Sequence, residues 1–332
     1  MSRAPPFNAY RCHAFGDYRN LRIEALPVPA LAADEVLLAV RATSVAFHEM
    51  LMVQGLYQLK PPLPFTPGSE ASGVVVAVGD KVNTFEVGAQ IIASVRYGAH
   101  AEMLVVNAED CCPLPRPFSF AEGAAFLTAY RTAYVALVPR GKLQAGETLL
   151  VHGASGGVGL AAVELGKHLG ATVIATASTP EKLAIAKAKG ADVLINTSTD
   201  SIREQVKVHT HGRGADVIYD PVGGDIFDES MRCIAPFGRL LVIGFAGGRI
   251  PTVAVNYVLI KQVSIVGVRA GEYGRQYPAG GREVNQALLE LANRGALKPH
   301  VQRCLPFAGL VTAFDALAAR AVAGRIVLEA GG

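Results

Sequence analysis

The amino-acid sequence predicts an α/β fold: a doubly wound parallel sheet of the dinucleotide-binding kind, joined to a second, β-rich domain. Three observations predict it. From Glu147 onward short apolar strands alternate with helical patterns, a glycine loop stands at the head of that alternation, and roughly the first 120 residues carry strands and irregular loops with few helices. At about 150 residues per domain, a chain of 332 residues predicts two.

In chain order, the runs EVLLAV, SGVVVAVG, AQIIASV and AEMLVV predict strands, because short apolar stretches bounded by Gly, Pro, Asp and Asn suit a buried sheet rather than a helix. ETLLVHG then opens a regular series. It is followed by the helical GGVGLAAVELGKHLG, the strand ATVIATA, the helix PEKLAIAKAKG, the strand ADVLIN, the helix SIREQVKVHT and the strand ADVIYD. Such alternation means right-handed βαβ crossovers around a parallel sheet. RLLVIGF and VSIVGV bring the count to about six strands, while VNQALLELANRG and VTAFDALAAR read as helices and GRIVLEA as a last strand.

Composition narrows the class of function. Hydrophobic residues make up 51% and charged residues 18%, with 35 Gly and 19 Pro, the profile of a globular chain rich in turns. A net charge of +3, from 31 Lys plus Arg against 28 Asp plus Glu, is too small to predict a nucleic-acid surface. No apolar run approaches the ~18 residues of a membrane span, and the start lacks a signal-peptide core, so the expected location is the cytoplasm. Five scattered cysteines without C-x-x-C spacing are expected to be reduced thiols.

The strand TLLVHG runs into Ala154-Ser155-Gly156-Gly157-Val158-Gly159 and then an apolar helix. Glycine lets the backbone approach a pyrophosphate, and a helix N-terminus supplies N–H donors and positive dipole. The residues Ser155, Gly156, Gly157, Val158 and Gly159 are therefore candidate cofactor contacts. The same stretch also spells G-x-S-x-G, the nucleophile elbow of α/β-hydrolases, for which Asp220 and His300 would complete a triad with Ser155. About twenty residues past the loop, where NAD-binding proteins place an acid on the ribose, stand Ala177 and Ser178, with Lys182 one helical turn on. Hydroxyls plus a cation suit a phosphate dianion, so NADPH is the expected cofactor and Ser178 and Lys182 its 2′-phosphate contacts. Lys182 as a plain solvated helix residue is the competing reading.

Several segments together resemble the medium-chain dehydrogenase/reductase superfamily, and within it the zinc-free quinone oxidoreductases. LPFTPGSEASGVVVAVGDKVNTFEVG looks like P-x-x-P-G-x-E-x-x-G-x-V followed by V-G-x-x-V-x-x-F-x-x-G-D, and A-x-G-x-x-G, GADVIYDPVGG, LLVIGF and ALAARAVAGRIVLE match further. The resemblance spans nearly the whole chain. It implies a GroES-like catalytic domain from residues 1–125 and 268–332, a Rossmann domain from 126–267, substrate entry between them, and a homodimer. It also implies cofactor contacts from Gly244 and Phe245 in LLVIGF and from Arg320 in the C-terminal A-A-R-A.

Departures from the family pattern bear on chemistry. Zinc-dependent relatives carry a cysteine near Ala46 and a histidine where this chain has Ser69, and the four-cysteine lobe is reduced to Cys111 and Cys112, so no metal is expected. Where the zinc-free branch has V-N-F-x-D, this chain has Val45-Ala46-Phe47-His48-Glu49, without the asparagine. Thr197 replaces a tyrosine that helps hold the 2′-phosphate. Without zinc, alcohol oxidation lacks its Lewis acid, whereas a quinone or an enone accepts hydride from nicotinamide if held close. The candidate catalytic residues are Tyr57, on the segment that the resemblance makes a substrate loop, His48, and Thr128, at the head of a helix that the family places beneath the nicotinamide. Each has a structural alternative: Tyr57 as packing under a Pro-rich loop, His48 as a surface or capping residue, Thr128 as helix packing. Glu70 resembles a glutamate that supports the site from behind. A non-catalytic NADPH-binding protein is a third class of function to be kept beside reductase and hydrolase.

Overall fold

The computed structural model describes residues 6 to 330. The chain forms two compact units, Met1–Thr128 with Lys298–Gly332, and Ala129–Leu297.

The first unit is built on strands β1 (Phe7–Arg11), β2 (Arg22–Leu26), β3 (Glu35–Val45), β4 (Glu70–Val78), β5 (Gln90–Ser94), β6 (Met103–Asn107) and β7 (Cys111–Pro113), with helices α1 (Phe47–Val53) and α2 (Phe120–Ala124). Two strands from the far end of the chain, β14 (Val301–Pro306) and β15 (Arg325–Glu329), complete its sheet, with α11 (Leu310–Ala318) between them. The order is β14-β15-β3-β4-β5-β7, and β6 also pairs with β3. Long β3 is the hub because its residues alternate between two cores: Val36, Leu38 and Val40 face one apolar cluster and Val45 another. β15 locks on antiparallel, Ile326 opposite Val45 and Leu328 opposite Thr43.

The second unit begins in α3 (Leu127–Val135), which spans the boundary, and alternates β8 (Thr148–Val151), α4 (Gly157–His168), β9 (Thr172–Ala177), α5 (Pro180–Ala188), β10 (Val193–Asn196), α6 (Ile202–His209), β11 (Ala215–Asp220), α7 (Gly224–Cys233), β12 (Ile234–Val242), α8 (Val255–Lys261) and β13 (Ser264–Gly267). All six strands are parallel, in the order β10-β9-β8-β11-β12-β13. Every residue of β8 and β11 is buried, the unbroken apolar run expected where helices cover both faces of a sheet. The chain winds outward from β8 to β10 and then from β11 to β13, so the order reverses between β8 and β11, where open α/β sheets offer their ligand crevice.

Helices α9 (Ala270–Gln276) and α10 (Pro278–Asn293) belong to this second unit. The boundary predicted at residues 267/268 therefore falls instead at 297/298. The physical reason is α10: Val284, Leu288 and Ala292 are buried, and Arg131 Nε on α3 donates to Asn285 Oδ1 at 2.6 Å. The predicted boundary at 125/126 lies within three residues of the observed one.

Candidate functional site

The first unit holds a buried polar network that no local pattern in the sequence announces. Glu49 sits in the first turn of α1, and its Oε2 accepts the N–H of Ala46 at 2.9 Å, the reach-back half of a capping box. Its Oε1 accepts from Ser69 twice, from N at 2.8 Å and from Oγ at 2.5 Å. His100 Nε2 lies 3.1 Å from Glu49 Oε2, while its Nδ1 lies 3.1 Å from Thr43 Oγ1, which in turn donates to the carbonyl of Glu70 at 2.9 Å. Both ring nitrogens of His100 thus face oxygens. Burial alone would raise the Glu49 carboxyl, but the charge and hydrogen bond of His100, with help from His48 and Ser69, hold it down at about 2.

Glu70, at the start of β4, accepts the N–H groups of Leu127 at 2.5 Å and Thr128 at 3.0 Å, satisfying two orphan donors at the head of α3. Burial dominates here and pushes its carboxyl up to about 7, against the opposing pull of Thr128 and of Arg325. Arg325 is itself buried, and its Nε has no hydrogen-bond partner.

Of the sequence-predicted catalytic residues, the structure brings two together. The His48 and Tyr57 rings lie 5.6 Å apart at 47°, both partly buried, with Tyr57 packed on the cluster around Phe65 and Val53. Burial lowers the His48 pKa below 6.5, with Glu49 pulling the other way, so its imidazole is neutral at pH 7. Thr128 is placed on α3 and held by Glu70. Sequence reasoning missed His100 and Thr43, and took Glu49 only as part of a motif. Its spacing to Ala46 was a readable capping signal, whereas His100 lies 51 positions away.

Metal donors at the positions of zinc-dependent relatives are absent. Ala46 offers only backbone, and Ser69 spends both its donors on Glu49. Among the described residues no three His, Cys, Asp or Glu side chains are grouped to hold a metal ion. At Ala46 and Ser69 the side chains supply no zinc ligand of the nitrogen or sulfur kind.

In the second unit, β8 leads through Gly153, at φ +54°, into the loop before α4, whose N-cap is Gly156. A Cβ on Gly159 would lie 2.3 Å from Gly153 O and 2.8 Å from Ala154 Cα, so only glycine lets the helix start this close to the turn. A Cβ on Gly156 would meet only Gly153 O, at 3.4 Å, which leaves that side of the loop open. Gly157 and Val158, partly exposed, bring helix-start N–H groups to the same place. Ala154 N donates to Thr176 O, which sets the loop beside the end of β9. There Ser178 is exposed, and Thr179 caps α5 by accepting the N–H of Lys182 at 3.4 Å. The carboxylate in this stretch is Glu181, one residue before Lys182 and lowered in pKa by backbone and Thr179 hydrogen bonds. Thr197 and Ser198 follow β10 and are tied back to Ala177 O and Ser178 O. Across the reversal point, Gly244 and Phe245 follow β12, and Ala246 and Gly247 donate to Pro221 O and Val222 O. A Cβ on Gly153 would touch Val222 at 3.2 Å, so these loops share the carboxyl edge of the sheet. The glycine loop, Ser178 after β9, and Gly244 with Phe245 after β12 thus lie along the carboxyl edge of one sheet, on either side of the reversal point. Arg320, exposed at the end of α11 with φ +55°, belongs to the first unit.

The hydrolase alternative fails on geometry. Asp220 Oδ1 is occupied by the N–H groups of Val222 at 2.8 Å and Gly223 at 2.9 Å. No strand–helix unit of this sheet precedes β8, whereas a nucleophile elbow sits within a sheet already under way.

Comparison with known proteins agrees with this architecture. Residues 32–125 match the alcohol dehydrogenase GroES-like domain family, and residues 157–292 the zinc-binding dehydrogenase family. Quinone oxidoreductase-like protein 2 of Bos taurus is 36% identical over 313 residues, 94% of this chain and 89% of that one. Among solved structures, mycobacterial Rv1454c complexed with NADPH is 29% identical, with a TM-score of 0.90 over 97% of this chain and 99% of that one. The CurK enoyl reductase is 26% identical, with a TM-score of 0.89 over 98% and 99%. The chain belongs to the medium-chain dehydrogenase/reductase superfamily of oxidoreductases, with a GroES-like domain and a Rossmann domain, and groups there with the quinone oxidoreductase-like proteins.

Proposed function

We propose that this oxidoreductase is an NADPH-dependent reductase that delivers hydride, without a metal, to a quinone or an α,β-unsaturated carbonyl compound. The observation that carries the reading is the carboxyl end of β9, where Ala177, Ser178 and Thr179 stand in place of a ribose-binding acid with Lys182 close by in the chain. A 2′-phosphate meets hydroxyls and an ammonium there. Bound reduced nicotinamide supplies the hydride. The chain's residues do the rest: Ser155 to Gly159 and Gly244 with Phe245 cradle the dinucleotide, and Ser178 and Lys182 take the phosphate.

His48 and Tyr57 face the acceptor. A neutral imidazole N–H or the phenol O–H meets the oxygen on which charge develops, and one proton from either group or from water completes the hydroquinone or the saturated carbonyl product. The resemblance to an enoyl reductase and to a structure complexed with NADPH supports the same reading. The test is fluorescence titration of Lys182→Glu with both cofactors. NADPH binding is expected to weaken by about 1–3 kcal/mol, the worth of one charge-assisted contact, and NADH binding to hold. Equal losses remove Lys182 from the phosphate site.

The protein is further read as a cytoplasmic homodimer. No disulfide joins its cysteines, and no helix among the described residues is long and apolar enough to cross a membrane. Val255, Leu259 and Ile260 on α8 are 72–80% exposed, beside β13 at the end of the sheet, a patch suited to a second copy. Light scattering of Leu259→Glu is expected to give a monomer where the unmodified protein gives a dimer.

A further inference from the structure

We propose that the second unit carries a second small-molecule site, a groove for a phosphate monoester with an apolar body, formed by Arg203, Lys207 and Lys261 on one side and Phe227, Met231 and Tyr257 on the other. Two cavities, of about 470 and 220 Å³, share Lys207, Arg232 and Lys261 in their linings. The larger is within the ~300–1,000 Å³ typical of small-molecule sites. The groove borders the amino edge of the parallel sheet, where Gly214 leads into β11 and Lys261 precedes β13. The glycine loop is at the carboxyl edge, so the groove is separate from the dinucleotide crevice.

Charge is the main argument. Elsewhere on this unit several cations are matched: Lys167 with Asp192 at 2.8 Å, Lys189 with Glu164 at 2.9 Å, Arg239 with Glu147 at 2.6 Å. At the rim of the groove Arg232 pairs with Glu229, and the wall residue Asp228 is committed to Arg249. Arg203, Lys207 and Lys261 have no carboxylate partner among the described contacts. Burial chiefly lowers the pKa of Lys261, with Cys233 opposing and Lys207 and Arg203 pushing the same way as burial, which puts the three cations near one another. Cys233 beneath them supplies none, since burial pushes its thiol up to about 12. A phosphate monoester brings about −1.5 to −2 charge and three acceptor oxygens, which answers three cations. The apolar body meets buried Phe227 and Met231 and the half-exposed Tyr257, all three in the lining of the larger cavity.

Isothermal titration with phenyl phosphate, hexyl phosphate, inorganic phosphate and phenol tests the proposal on the full-length protein. Phenyl or hexyl phosphate is expected to bind saturably at one site, with phenol and inorganic phosphate each weaker. Lys207→Glu and Lys261→Glu are expected to weaken the ester about tenfold or more, as loss of a charge-assisted contact does, while Lys207→Arg restores it and Lys182→Glu leaves it unchanged. Sedimentation with phosphatidylcholine vesicles containing phosphatidic acid separates the sources: pelleting lost in the same variants assigns the phosphate to a lipid headgroup, and no pelleting assigns it to a soluble ester. Should Lys207→Glu fail to fold, Lys207→Gln carries the same expectation. No saturable ester binding, binding indifferent to Lys207 and Lys261, or binding lost in Lys182→Glu overturns the proposal.

Discussion

Replacing Glu49 by glutamine removes the charge at the centre of the buried network while keeping its shape. In the folded unit the carboxyl is held at about 2 against an ordinary 4.5, and at about 1.4 kcal/mol per tenfold step in acidity that depression is worth about 3 kcal/mol at neutral pH. Because the folded value is depressed, the stabilisation is fully present above pH 4.5 and is lost as pH falls toward 2, with less than half remaining at pH 3. Glutamine also turns an amide N–H toward one of the three donors that Ala46 and Ser69 aim at the carboxylate, and a buried donor left facing a donor adds to the cost. For a unit of 150 to 250 residues the expected drop in Tm at pH 7.5 is roughly 6–12 °C. Thermal unfolding followed by circular dichroism at pH 7.5, 5, 4 and 3 reads both amplitude and window. A gap under about 1 kcal/mol at pH 7.5, or one that widens on acidification, refutes the account of a carboxylate held ionised by the network around Glu49.

Glu70 carries the opposite sign: its carboxyl is raised to about 7, so its contribution is full below pH 4.5 and lost as pH rises through 7. The stability gap between the unmodified protein and Glu70→Gln is therefore expected to shrink by about 3 kcal/mol between pH 4.5 and 8 in urea unfolding, and a gap growing with pH contradicts the burial argument. Gly159→Ala puts a Cβ 2.3 Å from Gly153 O, and NADPH affinity is expected to fall about tenfold or more with the fold retained, since the loop must shift where it meets the pyrophosphate; unchanged affinity would detach the loop from the cofactor. Tyr57→Phe and His48→Ala are each expected to keep turnover with a quinone within about 100-fold of the original, because solvent can supply the proton. A loss of the 10²–10⁴-fold usual for a general acid, with normal NADPH binding, identifies that residue as the donor.

Strands buried on both faces were legible because they are nearly continuous apolar words: TLLV and ADVIYD are β8 and β11. β2 and β14 were not, since RIEAL and VQRCLP lie mostly toward solvent and carry no such run. The glycine loop was readable because its function depends on residues adjacent in sequence. The Glu49–His100–Thr43 network was not, because its members come from α1, from β3 and from the loop before β6, and only the sheet brings them together. Helix α10 misled the boundary for a similar reason: its pattern announces a helix but not the partner, Arg131, that ties it to the second unit.

Because β15 is one of the strands that pair with β3, the first unit is sewn from two ends of the message. Synthesis is vectorial, and at 5–20 residues per second β3 leaves the ribosome roughly 15–60 s before β15 is made. The second unit, contiguous in the chain, meets all its own strands in that interval and is free to fold first. During it the β3 edge that will receive Ile326 and Leu328 stands open, a hydrogen-bonding template in a nascent chain, and strands in that condition are the ones that chaperones are needed to shield.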